Sequence, residues 1–206
     1  MAPIRPPVAE PPAPHATRPV VLLIGGYAGC GKTTLGRALA RRTGWPMLDK
    51  DTTTRPVVEA ALAALGLSAT DRESEAYRTL IRPAEYEALM AGMAENLRCG
   101  TSCIVTAPFV AEFASPSWCE SARARIGALG GTAHFAWIDC DADTLRSHIV
   151  ERGAARDEAK LAGWNTWIGS LDLAFRPATD HLVVANSGDF VAVDEVAKAL
   201  AEKFGK

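Results

Sequence analysis

The sequence predicts an α/β domain in three layers: a parallel sheet of five strands with helices on both faces. Three observations predict it. Apolar, β-branched runs recur along the chain, and helical patterns lie between them. The first of these runs feeds Gly-Tyr-Ala-Gly-Cys-Gly-Lys-Thr at residues 26–33, and a helical pattern follows at once. The length, 206 residues with 48% hydrophobic side chains, suits one domain with a sizeable core.

The elements follow in order. Residues 20–24, Val-Val-Leu-Leu-Ile, read as a strand buried on both faces. Residues 34–42 read as a helix with Leu35 and Leu39 on one face and Gly44 as its stop. The other strands are expected at 46–48, 103–106, 134–138 and 181–185. Helices are expected at 55–65, 73–80, 83–97, 116–129, 142–151 and 193–204, with a further helical stretch over 156–173. Between Leu48 and Cys103 the chain runs far beyond the roughly dozen residues that a minimal crossover needs. The excess, about residues 55–98, is expected to be a helical substrate-binding insertion.

Composition narrows the function. The formal net charge of −2 supplies no global basic field, so nucleic acid is not an expected partner. No apolar stretch approaches the ~18 residues of a membrane span. The five cysteines are odd in number and form no C-x-x-C pair, which points to a reducing cytoplasm. Residues 1–18 are proline-rich and read as a disordered tail without the apolar core of a signal peptide. Residues 19–206 then form the domain. The alanine- and arginine-rich style suggests a GC-rich bacterial source.

The 26–33 motif is a complete G-x-x-x-x-G-K-[ST] phosphate-binding loop. Gly26, Gly29 and Gly31 permit turns closed to other residues and bring backbone N–H groups against phosphate oxygens. The helix that starts there adds its positive end. Lys32 is expected at the β- and γ-phosphates and the Thr33 hydroxyl at Mg²⁺. The nucleotide contact surface is expected to run from Gly26 through Ala28, Gly29, Cys30 and Gly31 to Lys32, Thr33 and Thr34. ATP with Mg²⁺ is the expected cofactor.

A second group is Leu48-Asp49-Lys50-Asp51, at the carboxyl edge of the sheet, where ligands of open α/β sheets bind. If strand geometry persists, Asp49 and Asp51 point to one side. One carboxylate can accept a hydroxyl proton while the other holds Mg²⁺; alternatively one caps the next helix. Asp49 is the expected metal ligand beside Thr33, and Asp51 the expected substrate contact. Thr106 stands where an acidic residue would be sought at the end of the third strand. It either meets a metal-bound water or is a plain strand residue.

The third group is basic. Arg152 and Arg156 flank Gly153, which suits a hinge, and residues 152–165 are expected to form a lid. Such arginines neutralise charge that develops during phosphoryl transfer while closure excludes water. The alternative is a solvated helix face paired with Glu151, Asp157 and Glu158. Asn186, in Asn-Ser-Gly after the last strand, either reads the nucleotide base or simply turns the chain. Arg55, Arg82, Phe109 and Arg176 are the further expected substrate contacts. Trp164 and Trp167 read as core, and no histidine is assigned a catalytic role.

The loop together with the Asp-x-Asp after strand two resembles the small-molecule kinase branch of P-loop proteins. Shikimate kinase, gluconate kinase, chloramphenicol phosphotransferase and zeta-toxin-like proteins (AAA_33) belong there. The interval from Lys32 to Asp49 and Asp51 is similar to that of shikimate kinase. The resemblance implies a sheet in the order 2-3-1-4-5 and an Asp, Asp51 or Asp49, that orients or deprotonates an acceptor hydroxyl. It also implies a lid arginine and an adenine-contacting loop at Asn186. It implies a monomer or homodimer acting on a small hydroxylated molecule. This chain has Ala-Pro-Phe at 107–109 where shikimate kinase has a glycine-rich turn, so substrate contacts do not carry across. A nucleoside or nucleotide kinase and an antibiotic- or nucleotide-sugar-modifying kinase fit the same parts. An ATPase switch that binds a protein partner is the alternative of a different class.

Overall fold

The computed structural model describes residues 18–187 and 193–204; most of the expected tail lies outside the described residues. Five strands form one sheet: β1 (Val20–Gly25), β2 (Met47–Asp49), β3 (Cys103–Thr106), β4 (Thr132–Asp139) and β5 (Leu182–Ala185). Every pairing is parallel and the order is β2-β3-β1-β4-β5, as the resemblance implies.

Strand β1 shows why this sheet is central to the fold. Val21 and Leu23 enter one core cluster, Leu22 and Ile24 the other, and all four are fully buried. A strand buried on both faces has no polar side, so its sequence is continuous rather than alternating. One face is covered by α3 (Arg82–Arg98) and α5 (Pro116–Ala128). The other is covered by α1 (Lys32–Thr43) and α9 (Val193–Phe204). The remaining helices are α2 (Lys50–Ala64), α4 (Val110–Ala114), α6 (Ala142–Arg152), α7 (Glu158–Ala162) and α8 (Trp164–Gly169). Among the described residues no helix is long and apolar enough to cross a membrane.

Three expectations need correction. Strand geometry does not continue from Asp49 to Asp51: β2 ends at Asp49 and α2 begins at Lys50. Asp49 caps that helix, its Oδ1 accepting the Thr52 N–H at 2.9 Å. Such a cap satisfies one of the N–H groups that every helix start leaves open. The 156–173 stretch is not one helix. It splits into a 3₁₀ turn, Ala155–Asp157, then α7 and α8 on either side of Gly163. Residues 77–80, expected as the end of a helix over 73–80, belong to a π-helical turn, Tyr77–Ile81, that runs directly into α3.

Candidate active site

The sheet register assembles the centre of the site. Ile24 of β1 and Asp49 of β2 both lie beside Thr106 of β3, so three strands end together where the glycine-rich loop begins. The Thr33 hydroxyl, on the first turn of α1, donates to Asp49 Oδ2 at 3.0 Å. The Thr106 hydroxyl donates to the same oxygen at 2.8 Å. Asp49 therefore spends one oxygen on the cap and the other on two hydroxyls. Thr33 and Asp49 offer hard oxygen donors side by side, a set that fits Mg²⁺.

The loop holds its shape through glycines and a clamp. Gly31 is the residue before α1, with φ 97°, and a Cβ there would lie 2.7 Å from Asn186 Nδ2. Gly29 has φ 86°, and a Cβ would meet Ile149 Cγ1 at 2.8 Å. Both positions need the left-handed backbone that only glycine adopts at no steric cost. Asn186 donates from Nδ2 to the Cys30 carbonyl at 2.9 Å and from its backbone N–H to the Asp139 carbonyl at 2.8 Å. The loop is thereby tied to the end of the sheet. Cys140 supports the clamp: its Sγ donates to the Asn186 carbonyl at 3.1 Å, and burial, above all, pushes its thiol up to about 12. Lys32 folds back onto its own loop, donating to the carbonyls of Gly26 and Tyr27 at 2.8 Å each.

A cavity of about 600 Å³ opens over these groups. Ala28, Gly29, Gly31, Lys32, Thr33 and Thr34 line it on the loop side, with Arg37, His148, Glu151, Arg152 and Asn186. Asp49, Lys50, Asp51, Thr52, Arg55, Thr106, Ala107 and Pro108 line the other side. The loop and both aspartates thus share one cavity, although they lie on different elements.

The remaining predicted residues sort unevenly. Gly26 and Cys30 do not line the cavity; the Cys30 side chain is fully buried under the loop. Arg152 lines it while donating to Asp157 from Nε at 3.0 Å and Nη2 at 2.6 Å. Asp157 is almost fully buried and also meets Lys160 at 3.4 Å. The Arg156 side chain lies outside the described residues.

Phe109 is a correction. Its ring is fully buried, stacked on Phe113 at a centroid distance of 4.9 Å and packed on Tyr86 and Trp118. An apolar ring at the core face gains more by burial than by walling a polar cavity. Arg82 is a second correction: it stacks on Tyr86 at 4.4 Å and pairs with the nearly buried Glu112 at 2.7 Å, away from the cavity. A buried carboxylate needs such a partner. Arg176 likewise pairs with Asp139, at 2.8 Å, rather than facing the cavity.

Sequence reasoning missed Lys50, Arg37, His148 and Glu151 as cavity residues. The signal for two of them was present. His148, Glu151 and Arg152 fall at helical spacings on α6, and His148 Nδ1 meets the Gly29 carbonyl at 2.8 Å.

An all-parallel 2-3-1-4-5 sheet, with a glycine-rich loop between β1 and α1, defines a P-loop nucleotide-binding protein with the kinase form of the fold. The chain belongs to the AAA domain family (AAA_33), whose model matches residues 21–174. Solved structures share the fold at low identity. A protein from Chloroflexus aurantiacus j-10-fl, provisionally described as a kinase, is 19% identical, with 90% of this chain and 98% of that chain covered and a TM-score of 0.60. A sugar kinase from Janibacter sp. HTCC2649 is 17% identical, with 91% and 92% covered and a TM-score of 0.53. A gluconokinase from Sinorhizobium meliloti 1021 is 16% identical, with 90% and 95% covered and a TM-score of 0.53. None of the curated proteins compared matches the chain.

Proposed function

We propose that this protein is an ATP- and Mg²⁺-dependent kinase that transfers the γ-phosphoryl group to a hydroxyl of a small aliphatic molecule. The observation that carries this reading is the single cavity shared by the phosphate loop and Asp51. The loop amides, the positive end of α1 and Lys32 bind the phosphates. Lys32 exchanges its two loop carbonyls for phosphate oxygens. Thr33 and Asp49 would hold Mg²⁺, which would supply positive charge to the phosphate end of the nucleotide.

Asp51 accepts the proton of the acceptor hydroxyl while that hydroxyl's oxygen bonds to the γ-phosphorus and the bond to the leaving ADP oxygen breaks. The 152–165 segment acts as the lid. Arg152, anchored on Asp157, supplies positive charge to the transferring group as water is excluded.

The acceptor side of the cavity favours an aliphatic polyhydroxylated molecule over a flat base. Its lining combines the hydrogen-bonding side chains of Lys50, Asp51, Thr52, Arg55 and Thr106 with Ala107 and Pro108, and carries no aromatic ring. The nearby aromatic rings Phe109, Tyr86 and Tyr77 are spent in the core. The carboxyl edge of the sheet also carries Asp49 as an acidic group beside Thr106, which takes over the place of an acid on β3. Either a monomer or a homodimer is compatible with this site.

The test incubates the protein with Mg·ATP and a pool of sugars, sugar acids, polyols, nucleosides and aminoglycosides, with Asp51→Asn alongside. New phosphorylated mass on an aliphatic acceptor, lost by about 10²–10⁴-fold in Asp51→Asn, is expected. Nucleotide binding without any phosphorylated acceptor contradicts the reading.

A further inference from the structure

Lys50 is a lysine where stability alone does not place one. It is the first residue of α2, next to the cap Asp49, where the helix dipole disfavours a cation. It is also 4% exposed, and lysine is almost never buried unless paired. Its ammonium is held between two carboxylates, 3.0 Å from Asp51 Oδ1 and 2.9 Å from Glu85 Oε1.

Glu85 belongs to α3 and is itself 4% exposed. Both of its oxygens are engaged. Oε1 accepts from Lys50 and from the Thr54 hydroxyl at 2.7 Å, and Oε2 accepts from the Tyr77 hydroxyl at 2.8 Å. The single Thr54 hydroxyl proton is shared between that oxygen and the Lys50 carbonyl, also at 2.7 Å, which ties the first turn of α2 to the same anchor. Burial first, and then the bond to Glu85, push the Tyr77 phenol up, so it remains a donor. Tyr77 opens the π-helical turn, a geometry frequent at functional sites.

The arrangement is a relay from the helical segment to the cavity: Tyr77 and Thr54 fix Glu85, Glu85 fixes Lys50, and Lys50 grips Asp51. Of the two carboxylates in this relay, Asp51 lines the cavity and Glu85 does not. A buried ion pair costs desolvation that its own attraction often fails to return, so such pairs are weak sources of stability. A local rule broken at the cavity wall, with no evident compensation in stability, marks a functional constraint.

We infer that Lys50, anchored by Glu85, is a positioning residue that fixes the Asp51 carboxylate toward the acceptor hydroxyl, so that α2 and α3 orient the base as one unit. The inference rests on the kinase reading. It makes no demand on the nucleotide end, which the loop and Lys32 build separately. It also assigns the helical segment a task beyond enclosing the acceptor: packing changes at Tyr77 or Glu85 alter turnover without touching substrate.

The test uses the full chain. Lys50→Met alone leaves Glu85 buried without its cation and is prone to misfold, so the main variant is Lys50→Met/Glu85→Gln. It removes both charges, while the amide introduced at position 85 can still bond to Thr54 and Tyr77. Exchanging a whole buried pair is often neutral for stability. Lys50→Arg serves as the conservative partner.

Melting temperature, the Kd for a fluorescent mant-ATP probe, and the kcat for an acceptor found with the pooled hydroxyl compounds are measured for each. The expected result is a wild-type-like melt and mant-ATP Kd, a kcat reduced by about 30-fold in the double variant, and partial recovery in Lys50→Arg. A double variant whose kcat stays within about threefold of wild type overturns the positioning role and leaves the kinase standing. Wild-type protein that binds mant-ATP and phosphorylates nothing overturns the kinase and the positioning role together.

Discussion

The two ends of the cavity are built from different materials. At the loop end the binding groups are backbone amides, shaped by glycines and held by the Asn186 clamp onto the Cys30 carbonyl. At the opposite end they are charged side chains of α2, Asp51 and Lys50, fixed from behind by Glu85 of α3. A backbone-built site depends on chain geometry and sits over the apolar β1 core. A side-chain-built site depends on ion pairs and hydrogen bonds that must all be satisfied together. On the proposed kinase reading, the first material recognises a constant group, phosphate, and the second is the one that changes with the acceptor.

Substitutions can break this comparison in order of size. Lys32→Ala removes the one charged side chain the loop itself supplies. Turnover is expected to fall by at least ~10²–10³-fold, as when a single transition-state donor is lost. The melting temperature should stay within a few degrees, because the Lys32 ammonium bonds within its own loop. An unfolded protein, or one with full activity, contradicts the separation of chemistry from stability at that end.

Phe109→Ala probes the wall beneath the other end. Phe109 is fully buried among Phe113, Trp118 and Tyr86, and truncation is expected to cost ~3–5 kcal/mol. For a domain of this size that lowers the melting temperature by roughly 6–20 °C. The mant-ATP Kd measured well below that melt should not move. A weaker nucleotide affinity would mean that the two ends are mechanically coupled through the core.

His134 sharpens the comparison from outside both ends. It lies on β4 against Phe204 at 4.3 Å, where burial first, and then Lys203 and Arg123, depress its pKa. The unfolded chain then binds a proton at higher pH than the folded one. Stability is full above about pH 6.5 and falls as pH drops through that value toward the depressed folded one. His134→Gln should flatten this part of the stability profile in denaturant titrations, while nucleotide affinity keeps its wild-type dependence. An unchanged profile in the variant would remove His134 from the account.

The same contrast governs what could be read from the sequence. The sheet was legible because β1 is one continuous apolar run and the loop motif fixes a strand before it and a helix after it. Thr33 and Asp49 were legible as neighbours because one belongs to the motif and the other ends the next strand. Lys50, Glu85 and Tyr77 were not, because their meaning lies in contacts between α2, the π-helical turn and α3. Nothing in local spacing shows that Glu85 reaches Lys50 from a different helix. Phe109 and Arg82 misled for a related reason. An aromatic or an arginine near a predicted edge looks functional until the core and Glu112 claim them. The Asp pair looked like a strand feature because one residue decides the matter: the Asp49 side chain caps α2 and ends β2 at once.

The most direct measurement follows the γ-phosphorus itself. ATP carrying a γ-³²P label is incubated with Mg²⁺, the protein and the pooled aliphatic hydroxyl compounds, and the label is partitioned between organic product and inorganic phosphate. A kinase with Asp51 as its base sends the label into an organic product in the wild type and loses that product in Asp51→Asn. Label found only in inorganic phosphate, released at the same rate by both proteins, would contradict it and leave a nucleotide hydrolase in its place.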